Sequence, residues 1–412
     1  MVNVFDSFAG AGGLSLGFAQ AGFTIAGANE IDEWACQTFK LNHPEATVIH
    51  GDIREFSDEE VLQFIPQKID ILLGGPPCQG FSIANTKKGT PGDPKDPRNS
   101  LFMEFLRLGK VFNPQIMLME NVPNIVRAKT KSGEYVVDII EKEMQKLGYY
   151  TYRAILHATD YGVPQIRKRF VIIGSKTALD SAFPEPTHHE SANNLLGLPQ
   201  VPSLWDAISD LPSLQASQSS SEYTGPPRNT YQKQLRGTSN VLHNHTAMRH
   251  SDRLVKRFES MAWGQKGDEL HEDHLPLKRN GNGEKAANGY SQNNRRMFPD
   301  KPCHTIAASF YANFVHPFDH RNFTPREGAR VQSFPDDFVF LGKPTTPSHS
   351  LLRREGRESD IHLGQYNQIG NAVPPLIAYA IASNLKLQIA PTEPHNVRTR
   401  RQPATKRRIS VA

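Results

Sequence analysis

Hydrophobic periodicity divides the chain into two parts. Through about residue 178, short apolar runs alternate with amphipathic segments: NVFDSF (3–8), TIAGANE (24–30), TVIHGDI (47–53), KIDILLGG (68–75), QIMLMEN (115–121), TYRAILHA (151–158) and RFVIIGS (169–175). Alternating strand and helix signals predict an α/β domain with a mostly parallel sheet covered by helices. Several runs end in polar or Gly-rich turns, placing Gly10, Glu30, Asp52, Cys78 and Glu120 near strand C-termini. In open α/β sheets that edge is where ligands bind.

From Ser175 to about Arg321 the alternation stops, and stretches such as QASQSSSEYTGPP (215–227) and LKRNGNGEKAANG (277–289) are rich in small and polar residues. They predict a second, smaller, loop-rich domain. Near the C-terminus, QIGNAVPPLIAYAIASNLK (368–386) reads as a turn, two prolines at a helix start and an apolar helix that returns to the first domain. The expected boundaries are 1–178 completed by 365–390 for the first domain, 179–364 for the second, and 391–412 as a basic, disordered tail.

Composition adds limits. The 412 residues suffice for two cores, and 22% charged with 38% hydrophobic residues is ordinary for a globular enzyme. Beyond Pro391 stand six Lys or Arg (Arg398, Arg400, Arg401, Lys406, Arg407, Arg408) and one acid, Glu393, which accounts for the whole formal charge of +5. Any nucleic-acid surface on the body must therefore arise from local segregation of charge. Cys36, Cys78 and Cys303 suit neither a disulfide framework nor a zinc site, which points to a reducing cytoplasm. No apolar run approaches a membrane span, and no secretory pattern opens the chain, so a cytoplasmic protein without membrane contact is expected.

The first chemical signal is FAGAGG (8–13), a turn where missing side chains let the backbone approach a ligand. By itself it serves dehydrogenases, kinases or tight packing equally well. Glu30, at the end of the next strand, is placed either to accept ribose hydroxyls or as a solvated carboxylate. GGPPCQGFS (74–82) is more telling. Two prolines stiffen the turn before Cys78, and a polar loop follows it, unlike the apolar run around a buried structural thiol. Glu120 ends the MENVP run, and QIRKR (165–169) offers Arg167 and Arg169, two apart on one strand face, either to a common pocket or as a strand-flanking basic pair.

The ordered set FAGAGG, ANEID, GDIRE, GGPPCQGFS, ENV, QIRKR, REGARVQSFPDDF and QIGNAVPP resembles the DNA (cytosine-5)-methyltransferases, over about residues 3–178 and 322–386. The resemblance implies a Rossmann-like mixed sheet that binds S-adenosylmethionine and releases S-adenosylhomocysteine, without a metal. It also implies a smaller target-recognition domain, whose hinge side carries REGARVQSFPDDF, with Arg326, Glu327 and Arg330 as structural residues.

Carried onto this chain, the resemblance implies that Phe8, Gly10, Gly12 and Leu14 line the cofactor and Glu30 binds its ribose. Ile31 would pack on the adenine, Asp52 and Ile53 would hold its far edge, and Pro76, Leu101, Asn371 and Val373 would lie against the methionine half. Cys78 would be the nucleophile, Glu120 would contact cytosine N3 and the amino group, and Arg169, supported by Arg167, would bind O2. Such chemistry needs these residue types. Carbon 5 of cytosine becomes nucleophilic only after a thiolate adds at carbon 6, and a carboxyl group at N3 with a guanidinium at O2 stabilises the charge that develops.

The partner expected is double-stranded DNA, from which the cytosine is swung out under the loop SIANTKKGTPGDPKDPRNS (82–100). Recognition contacts are expected in LKRNGNG, in NNRRMF and around HNHTAMRHSDR (243–253), where His243, His245 and His250 read as polar surface rather than metal ligands. A dehydrogenase would have no use for PPCQGFS, and a DNA-binding module would not need Cys78, Glu120 and Arg169 together. A transfer RNA cytosine methyltransferase would carry a Cys-Phe-Thr motif, absent here, and a more compact recognition region. A stand-alone bacterial modification enzyme is expected: a monomer, associated with the nucleoid through DNA, and paired with a restriction nuclease acting on the same site without a stable complex.

Overall fold

The computed structural model describes residues 1–77, 101–130, 133–275 and 294–389. All seven apolar runs of the first part form strands of one seven-stranded sheet. In chain order the elements are β1 (Asn3–Ser7), α1 (Gly13–Gln20), β2 (Thr24–Glu30), α2 (Glu33–Asn42), β3 (Thr47–His50), α3 (Asp58–Phe64), β4 (Ile71–Gly74), α4 (Leu101–Phe112), β5 (Ile116–Asn121), α5 (Val136–Lys146), β6 (Tyr150–His157), the short β7 (Gln165–Ile166) and β8 (Lys168–Ser175).

The sheet order is β3-β2-β1-β4-β5-β8-β6. Its first five strands are parallel, while β8 runs antiparallel to both β5 and β6. Central strands are apolar on both faces because helices cover both, and Ile116 to Met119 are fully buried. One layer packs α1 and the C-terminal helix against the sheet, and the other packs α3, α4 and α5. The edge strand β6 is mostly exposed or half-buried, and Arg153 on it pairs with Asp138 and Glu141 of α5, which blunts the open edge.

After β8 the chain is loop-rich, as expected. Short elements follow: α6 (Leu204–Ile208), α7 (Thr230–Arg236), α8 (Asp252–Glu259), β9 (Arg295–Arg296), β10 (Cys303–His304), β11 (Phe314–Val315), α9 (Pro325–Val331), α10 (His349–Arg354), α11 (Gln365–Asn371) and α12 (Pro375–Ile389). Strand β10 pairs with β7, and β11 with β9. QIGN, read from sequence as a turn, instead closes α11; the bend comes at Ala372, whose extended backbone separates α11 from α12. Helix α12 then packs on α1 so closely that a Cβ on Gly17 would lie 2.4 Å from the Ala378 Cβ.

The REGARVQSFPDDF stretch organises this second part. Helix α9 is buried along its whole length, its charges included. Arg330 pairs with Asp336 and Asp210, Glu327 accepts both terminal nitrogens of Arg321, and Arg326 donates to the carbonyls of His243, Pro335 and Phe338. Buried charges persist only when so satisfied. His245, expected on a polar surface, is buried here: one ring nitrogen meets Thr324 Oγ1 at 3.0 Å and the other the Pro212 carbonyl at 2.8 Å. No group that could hold a metal ion occurs among the described residues. No helix among them is long and apolar enough to cross a membrane.

Candidate active site

Strand β1 lies between β2 and β4, so successive crossovers leave it in opposite directions. At such a switch point the loops after neighbouring strands part and open a crevice. The turn after β1 lines it. Gly10 and Gly12 have φ of 57° and 94°, a left-handed conformation that glycine adopts without strain, and Phe8 at 59° holds the same conformation at a cost. A Cβ on Gly12 would stand 2.8 Å from the Phe39 ring, whereas one on Gly10 would meet nothing within 4 Å. The turn is therefore packed below and open above.

Glu30 fixes this turn. Its buried carboxylate accepts the Gly10 N–H at 2.7 Å and the Ile31 and Asp32 N–H groups at 2.9 Å each. A carboxylate has about four acceptor positions, so one remains for a hydroxyl. Burial raises its pKa, and the backbone donors oppose that rise. Beside it Ile31 presents an apolar side chain that is 62% exposed, a surface suited to a flat ring. Ile53 is buried, and Asp52 is engaged by Arg54, whose hydrogen bonds hold the Asp52 pKa down.

The opposite wall comes from the C-terminal segment. Val373 is buried, Asn371 is exposed at the end of α11, and a Cβ on Gly13 would lie 2.4 Å from the Val373 carbonyl. The glycine turn and the α11–α12 bend thus touch backbone to backbone. Leu14 packs into the core beneath, and Leu101 is buried at the start of α4. An open glycine turn, a carboxylate with spare acceptor capacity and an exposed isoleucine fit a nucleoside-bearing cofactor.

At the same edge β5 ends beside the start of β8, with Glu120 opposite Val171 and Asn121 opposite Phe170. Glu120 Oε1 lies 2.6 Å from Arg169 Nε, both side chains being nearly buried. The contact is a short ion pair, and Oε1 has no further hydrogen-bond partner among the described residues. Burial raises the Glu120 pKa above the ordinary carboxylate range, against the pull of Arg169 and Arg167. The group is therefore biased toward holding a proton. A Cβ on Gly75 would lie 3.6 Å from Glu120 Oε2, so the chain leaving β4 passes directly beside this carboxyl.

Asn121 donates to the Pro76 carbonyl at 2.9 Å and so anchors that exit; sequence reading passed it over, although it stands next to Glu120 in the same motif. Arg167 points elsewhere. It donates to the carbonyls of Ile306 at 2.7 Å and of Gly370 and Ala372 at 3.0 Å each, which ties three distant segments together. Cys78, the loop 82–100 and LKRNGNG lie outside the described residues.

Comparison with known proteins follows the same lines. The family described as C-5 cytosine-specific DNA methylase matches residues 2–387. The type II methyltransferase M.DdeI of Desulfomicrobium norvegicum is 45% identical over 388 residues, covering 93% of this chain and 88% of that one. M1.HphI of Haemophilus parahaemolyticus is 36% identical, covering 92% and 84%. A crystal structure of a prophage-encoded DNA modification methyltransferase (E. coli) superposes with a TM-score of 0.68 at 26% identity, covering 94% of this chain and 99% of its own.

Proposed function

The chain belongs to the C-5 cytosine-specific DNA methylases, and from that premise we propose how its residues divide the work. It is a DNA (cytosine-5)-methyltransferase of the type II restriction-modification kind. S-adenosylmethionine supplies an electrophilic methyl group on a sulfonium. Its nucleoside half would lie over the open turn at Gly10, flanked by Phe8 and Gly12, with Glu30 taking a ribose hydroxyl and Ile31 against the adenine. Asp52 and Ile53 would meet the adenine's far edge, Asp52 sharing its carboxylate with Arg54. Pro76, Leu101, Asn371 and Val373 would enclose the methionine half, with Leu14 packing behind.

On the DNA side, Cys78 is the nucleophile that adds to carbon 6 of a flipped cytosine. The reading is carried by the Glu120–Arg169 pair, 2.6 Å apart at the sheet edge beside the exit that leads to Cys78. A glutamic acid whose pKa burial raises can donate to cytosine N3 as Cys78 adds, and its carboxyl oxygens can accept from the exocyclic amino group. Arg169 then stabilises negative charge at O2, and the same charge holds Glu120 in place. Once carbon 5 carries the methyl group, loss of its remaining proton expels Cys78 and restores aromaticity. Arg167 supports this by fixing the strand that carries Arg169.

The proposed division of the chain is a catalytic part, 1–178 with 365–390, and a recognition part, 179–364, that reads the duplex through segments including 243–253 and 293–298. Action as a monomer in the cytoplasm, alongside a nuclease cutting the same sequence, completes the reading. The direct test uses a duplex carrying 5-fluorocytosine at the target, where fluorine replaces the departing proton and the adduct cannot resolve. Wild type with S-adenosylmethionine should form a complex that survives denaturing electrophoresis, and Cys78→Ala should form none. A complex trapped equally by both would remove Cys78 from the mechanism.

A further inference from the structure

Two glutamines lie fully buried where the recognition part, the sheet edge and the C-terminal segment meet. Their carboxamides form a hydrogen-bonded chain running in one direction. The Ile306 N–H donates to Gln165 Oε1 at 2.8 Å, Gln165 Nε2 donates to Gln332 Oε1 at 2.9 Å, and Gln332 Nε2 donates to the Ile369 carbonyl at 2.8 Å and the Ala372 carbonyl at 3.4 Å. Neither amide can flip without breaking bonds at both ends. Arg167 claims Gly370 and shares Ala372 from the other side. The carbonyls of the last turn of α11 are thus held by donors from two directions.

We propose that Gln165 and Gln332 are positioning residues for the cofactor, which fix the Gly370–Val373 bend against the glycine turn. This rests on the reading that Asn371 and Val373 face the methionine half. The bend has no slack toward the turn, because Gly13 already excludes a Cβ at 2.4 Å from the Val373 carbonyl. It is also fixed behind, since a Cβ on Gly370 would lie 2.4 Å from the Ala307 carbonyl. Loss of the Gln332 amide leaves Ile369 O without its side-chain donor and lets the bend rotate, which changes the distance between the two walls of the crevice. Neither glutamine lies in the segments proposed to read the duplex, 243–253 and 293–298.

The test is S-adenosylmethionine binding to the full-length, DNA-free protein by calorimetry, with duplex affinity measured separately. Gln332→Met and Gln165→Met should each raise the cofactor Kd about tenfold and leave duplex Kd within about twofold, and the double variant should be no weaker than the worse single, as expected for two residues acting as one unit. Gln332→Leu, which likewise removes the amide, should match Gln332→Met. If Gln332→Met does not fold, Gln165→Met carries the same comparison. Unchanged cofactor affinity in a folded variant, or parallel loss of duplex affinity, would overturn the positioning role. Asn371→Ala separates the premise: wild-type cofactor binding there overturns the reading of the bend, whereas weakened binding there beside full affinity in the glutamine variants overturns the positioning role alone.

Discussion

Glu120 and Arg169 face each other across β5 and β8, with Oε1 and Nε 2.6 Å apart, although the ladder pairs Glu120 with Val171. Diagonal approach keeps the guanidinium beside the carboxyl, and Oε1 has no further hydrogen-bond partner among the described residues. A buried acid in that state can exchange a proton with a substrate, because its cationic neighbour lowers its pKa only partway against desolvation. Antiparallel insertion of β8 is what brings the arginine to the edge where the parallel strands end.

Glu120→Gln should therefore preserve folding and duplex binding while lowering kcat by about 10²–10⁴, the range ordinarily supplied by a positioned acid or base. Single-turnover methylation with circular dichroism as a folding control checks it. Wild-type rates in the variant would mean that the carboxyl does not move a proton.

Gly13→Ala should weaken S-adenosylmethionine binding and lower stability by about 1–3 kcal/mol, as an overpacked contact does. The added methyl would have to push back the Val373 carbonyl, now 2.4 Å from where it would sit. Thermal melts with and without S-adenosylmethionine read both effects, and unchanged ligand stabilisation would show that the bend is not a wall of the cofactor site.

Asp6 gives a pH signature. It is buried under the glycine turn, accepts from Ser15 Oγ at 2.6 Å, and burial raises its pKa from 3.8 to about 7, with Ser15 opposing and Glu30 and Glu120 reinforcing the rise. Between those values the unfolded chain has lost the proton that the folded chain keeps, so Asp6 costs stability progressively as pH rises from about 4 to about 7. Asp6→Asn has no such cost. The melting temperature of the variant relative to wild type should climb between pH 5 and pH 8, and a difference that does not change with pH would contradict the assignment.

Arg330→Ala should destabilise by about 3–5 kcal/mol, since it strands the buried carboxylates of Asp210 and Asp336. Denaturant unfolding measures it. A loss under about 1 kcal/mol, the scale of an exposed pair, would show that water reaches the site.

Much of the first part was legible because strand periodicity is local: each of the seven apolar runs became a strand, and the glycine turn, Glu30 and Glu120 came to the expected edge. Strand order was not, since nothing local in RFVIIGS says that β8 inserts between β5 and β6. The same limit applies to burial. His245 stands among polar neighbours in sequence, yet it is enclosed by Pro212 and Thr324, which lie 33 and 79 residues away. The Arg167 clamp likewise depends on carbonyls 139 to 205 residues distant, and QIGN became helix because α11 packs against the Ala307 backbone.

The central claim, cytosine methylation at carbon 5 through Cys78, is tested most directly by bisulfite sequencing of plasmid DNA from a host without its own cytosine methylation, expressing wild type or Cys78→Ala. Protected cytosines at one recurrent sequence in the wild type alone are predicted, and would reveal the recognition site as well. Protection in the Cys78→Ala strain, or none from a folded wild-type protein, would contradict it.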